Sequence, residues 1–146
     1  MKSEPESYGI DHLRADKRTA WTGVRNFQAR NYMREMRPDD PVLYYHSNCA
    51  VPGIFGIAKV ASLPYSDPTQ FDPKSRYYDP RATAEKPIWD LVDVQFVKKL
   101  KEPIPLTQLR DNPKFSAMMI LQPGSRLSVT PVSEEHFKLI ENGLRP

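Results

Sequence analysis

The stretch IWDLVDVQFVKKL, residues 88–100, constrains the fold of this chain more than any other. Val92, Val94 and Phe96 fall on one face of an extended strand while Leu91 and Val97 partly cover the other, the pattern of a strand buried centrally rather than at an edge. A central strand needs partners on both sides and cover on both faces. A chain of 146 residues has room for one sizeable core, so the sheet built on this strand is expected to organise a single domain over residues 1–146.

Its partners are legible. PVLYYHS alternates two faces, Val42, Tyr44 and His46 against Leu43, Tyr45 and Ser47, and GIFGIAKVASL follows a turn at Val51–Pro52–Gly53, so the pair predicts a hairpin. Gly53 and Gly56 mark places where another part of the chain approaches closely. SRLSVTPVS, with Leu127 and Val129 alternating against Arg126, Ser128 and Thr130, predicts a final strand. Helices are expected over GIDHLRADK, on Ile10 and Leu13; over NFQARNYMREM, with Asn26 as N-cap and Ala29, Tyr32, Met33 and Met36 as its apolar face; within EPIPLTQLRDNP and KFSAMMIL; and over EEHFKLIENG, capped by Ser133, burying Phe137 and Ile140 and ending at Asn142–Gly143. Pro64 to Pro87 has no period, but three Asp-Pro steps and the aromatics Tyr65, Phe71, Tyr77 and Tyr78 predict one long, ordered excursion. The mixture is α+β, around a curved or barrel-like sheet.

With 15 prolines against 6 glycines the connections are stiff rather than linker-like. No segment approaches the roughly 18 apolar residues of a membrane span, and MKSEPESYGI is no secretory signal, so the expected location is the cytoplasm. The one cysteine, Cys49, can form no internal disulfide, and with three scattered histidines no metal set emerges. Cys49 sits in an Asn-Cys-Ala turn three residues after His46, without any nucleophile signature, and reads as a bystander. His46, beside two tyrosines and Ser47 at a strand end, is either a structural hydrogen-bonding group or a ligand contact.

A net charge of +3 identifies no partner, but its distribution is informative. Arg25, Arg30, Arg34 and Arg37 lie within thirteen residues that contain one acid, Glu35, a stripe that suits either phosphates or plain solvent. Trp21, in a polar Thr22–Gly23 loop just ahead of that stripe, is either a core residue or an indole placed to stack on a planar ligand.

MKSEPESYGIDHL, WTGVRNFQARNYMREM, VLYYHSNCAVPGIFGIAKV, YYDP, WDLVDVQFV and GSRLSV, in this order and with compatible gaps, resemble the successive signature blocks of the EVE domain. That family belongs to the PUA-like superfamily, so the resemblance implies a small β pseudo-barrel, a curved mixed sheet surrounded by short helices, with a pocket for a nucleic-acid base that is commonly modified. It implies a reader without catalytic residues, metal or cofactor, whose partner is RNA or DNA. Family members carry apolar residues ahead of the MKSEP block where this sequence starts at Met1, which predicts a short first strand. By analogy, Trp21 and Tyr45 are stacking walls, Val24 is an apolar contact for a methyl-type substituent, and Ser3, Asn26, His46, Ser47 and Ser128 address the base edge or sugar. Lys2, Arg25, Arg30, Arg34 and Arg126 are the phosphate contacts implied. Face alternation sends His46 and Ser47 to opposite sides of their strand, and His46 is the favoured member of the pair. Two other readings stand beside this one: an enzyme acting on a nucleotide or base with His46 as acid/base, and a protein-interaction module built on residues 64–87.

Overall fold

The computed structural model describes residues 1–142. In chain order they form β1 (Lys2–Ser3), α1 (Pro5–Tyr8), α2 (Ile10–Asp16), β2 (Arg18–Ala20), α3 (Phe27–Arg34), β3 (Pro41–His46), β4 (Gly53–Val60), β5 (Tyr65–Ser66), β6 (Asp90–Leu91), β7 (Asp93–Pro105), α4 (Leu106–Asp111) and α5 (Glu134–Glu141). Five strands make one mixed sheet in the order β1-β3-β4-β7-β2, parallel between β1 and β3 and antiparallel elsewhere, and β5 pairs with β6 as a separate ribbon.

The sheet curls into a half-barrel because its long strands carry bulges. Register shifts fall between Tyr44 and Tyr45, between Ile54 and Gly56, and between Ile57 and Ala58, and each bends its strand and increases local twist. The two glycines of β4 permit this: a Cβ at Gly53 would stand 2.3 Å from the Ile104 carbonyl oxygen, and one at Gly56 would stand 2.4 Å from the Ile10 side chain.

Both faces of β3 are buried, as its alternation requires. Val42 and Tyr44 join Ile10 and Leu13 of α2, Met33 of α3, and Trp21 in one core, while Leu43 and Tyr45 join Ile54, Leu109, Phe115 and Ile140 in a second core on the opposite face. α2 and α3 cover the first face and α4 and α5 the second. Asn26 caps α3 as expected, its Oδ1 accepting the Ala29 N–H at 3.0 Å, and Ser133 caps α5 by accepting the His136 N–H at 3.1 Å. The expected stop of α5 reaches Gly143, which lies outside the described residues.

Four expectations are corrected. The strand expected over 88–100 divides at Val92 into β6 and β7, and β7 continues to Pro105, so α4 occupies only part of its expected segment. Val97 is 48% exposed, so the second face of that strand is open there. KFSAMMIL forms no α-helix: Pro113–Phe115 and Met119–Leu121 are single 3₁₀ turns, interrupted at Met118, whose ψ of 133° is extended. Phe115 and Met118, three apart, reach the core from this tighter winding. SRLSVTPVS is not a strand, and its tie to the sheet is the Lys2 N–H donating to the Ser128 carbonyl at 2.8 Å. β1 is only two residues long and offers little length for a ladder.

Candidate functional site

Trp21 to Arg25 form an irregular loop that is held from outside. The Trp21 N–H donates to the Val92 carbonyl at 3.0 Å, fixing the loop to the sheet. Gly23 takes a left-handed conformation, φ +88°, that a side chain would strain, and a Cβ there would also stand 2.5 Å from the Tyr77 ring. The Gly23 N–H and the Arg25 guanidinium converge on Asp67 Oδ2, at 2.8 and 3.1 Å, while Asp67 Oδ1 accepts the Thr69 N–H and hydroxyl. Burial alone would push the fully buried Asp67 carboxyl up, but the Thr69 hydroxyl, the Gly23 and Thr69 N–H groups and Arg25 outweigh it and hold the carboxyl below its usual range. Arg25 also donates to the Tyr77 carbonyl, at 2.9 and 3.0 Å, and to the Thr69 hydroxyl. The 64–87 excursion is therefore a clamp on the Trp21–Arg25 loop. Its own frame is the buried Gln70, whose Oε1 accepts the Ile88 and Trp89 N–H groups and whose Nε2 donates to the Asp67 and Trp89 carbonyls.

Between this loop, β1, α1 and β2 lies a cavity of about 340 Å³, of the size of small-molecule sites. Three aromatic residues border it, Tyr8, Trp21 and Tyr77, together with Val24. Tyr8 and Trp21 meet edge to face at 6.4 Å, and Tyr8 is fixed further by donating its hydroxyl to Asp16 at 2.7 Å. The polar lining residues are Ser3, Ser7, Thr19, Thr22, Ser128 and Lys2. Hydroxyls donate or accept as a ligand edge demands. No carboxylate, imidazole or thiol is among the lining residues. The arrangement suits a planar, uncharged ligand with hydrogen-bonding edges.

Of the residues implied by the sequence, this cavity gathers Lys2, Ser3, Trp21, Val24 and Ser128. The others stand elsewhere. Tyr45 faces the second core, with the Lys2 ammonium 5.7 Å from its ring centre. His46 is buried, its Nε2 accepting the Ile10 N–H at 3.0 Å and its ring stacked on Phe55 at 4.1 Å; burial lowers its pKa. The Ser47 N–H donates to the Ser3 carbonyl and fixes β1, and the Asn26 side chain is occupied as the α3 cap. Tyr8, Ser7, Thr19, Thr22 and Tyr77 line the cavity and were not among the residues implied. Tyr77 lies 56 residues after Trp21 in a segment without periodicity, so only the YYDP block signals it.

The arginines are mostly committed. Arg30 donates to the Ile88 carbonyl at 2.9 Å, Arg34 pairs with Asp90, and Arg37 donates to the Arg34 and Met36 carbonyls. Arg126 is exposed, two residues from Ser128 of the cavity, and makes no ion pair among the described residues. A larger cavity, about 520 Å³, lies across β1 and shares Lys2 and Ser128, but its lining is dominated by Tyr45, Leu43, Ile54 and methionines. Among the described residues no group of His, Cys, Asp and Glu could hold a metal, and no helix is long and apolar enough to cross a membrane.

Comparison with known proteins places these features in a family. Thymocyte nuclear protein 1 of Danio rerio is 42% identical over 96% of this chain and 68% of its own length, and the human protein is 39% identical over 96% and 70%. A crystal structure from Pseudomonas syringae superposes with a TM-score of 0.94 at 42% identity, covering 97% of this chain and 95% of that one. The human THYN1 protein, crystallised in complex with 5-methylcytosine-containing DNA, superposes with a TM-score of 0.91 at 37% identity, covering 97% and 94%. Residues 1–143 match the profile of the EVE domain, and the chain belongs to that family.

Proposed function

We propose that this protein is a non-catalytic reader of nucleic acid, and that the cavity between Tyr8, Trp21 and Tyr77 receives a single modified base, cytosine with a 5-methyl group first. The observation that carries this reading is the human relative's complex with 5-methylcytosine-containing DNA, made by a chain of the same fold. The cavity supports it chemically. A base leaves its stack to be read, stacks on aromatic walls and presents its edge to a few polar groups, and this reading takes the aromatic residues of the lining as walls and Ser3, Thr19 and Ser128 as edge contacts. Val24 supplies the apolar contact for the methyl group, Lys2 and Arg126 the nearest phosphate contacts, with Arg34 more remote. Tyr45, His46, Ser47 and Asn26 support β1 and α3 from behind. A reducing cytoplasm suits the unpaired Cys49.

The reading is tested by titrating the protein against oligonucleotides identical except for cytosine or 5-methylcytosine at one position. Tighter binding of the methylated form is expected, and Tyr77→Ala should weaken it by about 1–3 kcal/mol, the range for one base–aromatic stack. Equal affinity for every modification, or turnover of the base, would remove the reading.

A further inference from the structure

The Tyr77 wall of the cavity begins a series of cation–π and aromatic contacts that leads away from it. The Arg25 guanidinium lies over Tyr77 at 5.5 Å and over Trp89 at 5.4 Å. Trp89 stacks on Phe27, ring centres 4.8 Å apart and planes 26° from parallel. Every inner member is fixed: Arg25 by Asp67 and the Tyr77 carbonyl, Trp89 by burial and by its indole N–H donating to Asp79 at 2.8 Å. Phe27 is the end of the series, and it is 50% exposed.

Its outer face is open. Arg30 stands 4.8 Å from the Phe27 ring centre and 5.9 Å from that of Trp89. With the two rings 4.8 Å apart, these separations close a triangle, so the guanidinium lies beside the stacked pair rather than capping Phe27. Phe27 is thus half in water, on a rigid backing and flanked by a cation. The same arrangement is what a stacked base uses, with ordering cost already removed and a cation–π contribution beside it. Its chain neighbours Asn26, Gln28 and Asn31 are exposed and polar rather than apolar.

We propose that the outer face of Phe27 is a stacking platform for a second nucleobase, on the strand adjoining the nucleotide held in the cavity, with Arg30 beside it. This rests on the cavity being the base site. It turns the excursion's clamp into part of the recognition surface, because Arg25 and Trp89 set the distance between the two bases.

The test uses single-stranded oligonucleotides with one 5-methylcytosine and an abasic site moved one position at a time on either side. For the wild-type protein, one offset should lose affinity about five- to one-hundred-fold, and Phe27→Ala should lose the same factor on the intact strand. In Phe27→Ala the abasic site at that offset should cost nothing more, preference for methylated over plain cytosine should persist, and Phe27→Tyr should bind as wild type. Melting curves confirm that Phe27→Ala, which loses its packing on Trp89, is still folded at the binding temperature. Wild-type affinity in Phe27→Ala, or abasic losses unchanged by it, would overturn the platform, including in favour of a protein partner there. Loss of the methyl preference alone, with the Phe27 coupling intact, would instead overturn the cavity reading, and failure of the wild-type protein to bind any strand would overturn both.

Discussion

The main-chain N–H of Gly23 donates to Asp67 Oδ2 at 2.8 Å, across 44 residues of sequence. This one bond couples the loop carrying Trp21 and Val24 to the excursion carrying Tyr77, and so joins two walls of the cavity. Gly23 is indispensable to it twice over, for its left-handed φ of +88° and for the Tyr77 ring that would meet a Cβ at 2.5 Å. Gly23→Ala should therefore cost about 1–2 kcal/mol from backbone strain alone, with the displacement of Tyr77 added. Urea unfolding reads the stability, and a variant as stable as wild type would show that the loop relaxes freely.

Asp67→Asn should destabilise the protein by about 3 kcal/mol, because the Asp67 side chain is fully buried against Arg25 and the amide presents donors to donors. Its pKa is held below the ordinary 3.8, chiefly by hydrogen bonds that overcome burial, so the stability it supplies is present above that value and is lost as pH falls through the lower folded value. Between pH 5 and 2, unfolding midpoints of the wild type should fall more steeply than those of Asp67→Asn. Parallel curves would remove Asp67 from the acid transition.

His46 titrates in a different window. Burial lowers its folded pKa below 6.5, against the pull of Asp11 and with the push of Lys99, and its neutral Nε2 accepts the Ile10 N–H. A depressed pKa on a base means that its contribution is present above 6.5 and lost as pH falls through the folded value, when the unfolded chain takes up the proton first. His46→Gln keeps an acceptor and removes the titration, so the wild type should lose stability relative to this variant on acidification from pH 7.5 to 5. A constant difference between the two would show that folding leaves the imidazole's proton affinity unchanged.

How much of this was legible follows from chain locality. The alternation of Val42, Tyr44 and His46 against Leu43, Tyr45 and Ser47 placed both cores, because a strand's period is rigid. Asn26 and Ser133 announced their helices for the same reason: a cap acts within three residues. β1, β2, β5 and β6 are two or three residues long and carry no period to read. The site divided along the same line. Trp21 and Val24 sit in a distinctive loop, whereas Tyr77 reaches the cavity through Asp67, Thr69 and Arg25, contacts that span more than forty residues and that no window records. Alternation cannot say what a buried face meets: His46 accepts the Ile10 N–H and Tyr45 packs in the second core.

Trp21 belongs to wall and core at once. It is 8% exposed and meets Tyr44 edge to face at 5.5 Å as well as Tyr8. Trp21→Ala should cost about 3–5 kcal/mol of stability, so a loss of binding in that variant would not isolate stacking. Trp21→Phe should keep the fold at a fraction of that cost while weakening the methylated oligonucleotide. Chemical denaturation and binding of both variants check this, and a fully stable Trp21→Ala would contradict the edge-to-face packing.

The arginines divide into those that the fold uses and those it leaves exposed, and under the proposed function salt separates them. Each phosphate contact removed should make the slope of log affinity against log salt shallower by about 0.7–0.9. Arg126 is exposed beside Ser128 of the cavity, so Arg126→Gln should change that slope while leaving stability unaltered. Arg25 gives its guanidinium to Asp67, Thr69 and the Tyr77 carbonyl, so Arg25→Gln should lower stability, by stranding a buried carboxylate, and leave the slope alone. Arg34 is 45% exposed and shared with Asp90, and a phosphate bound there must compete with that carboxylate. Arg34→Gln should therefore shift the slope less than Arg126→Gln. A larger shift from Arg34 would move the strand's path onto α3 and away from the Ser128 side of the cavity.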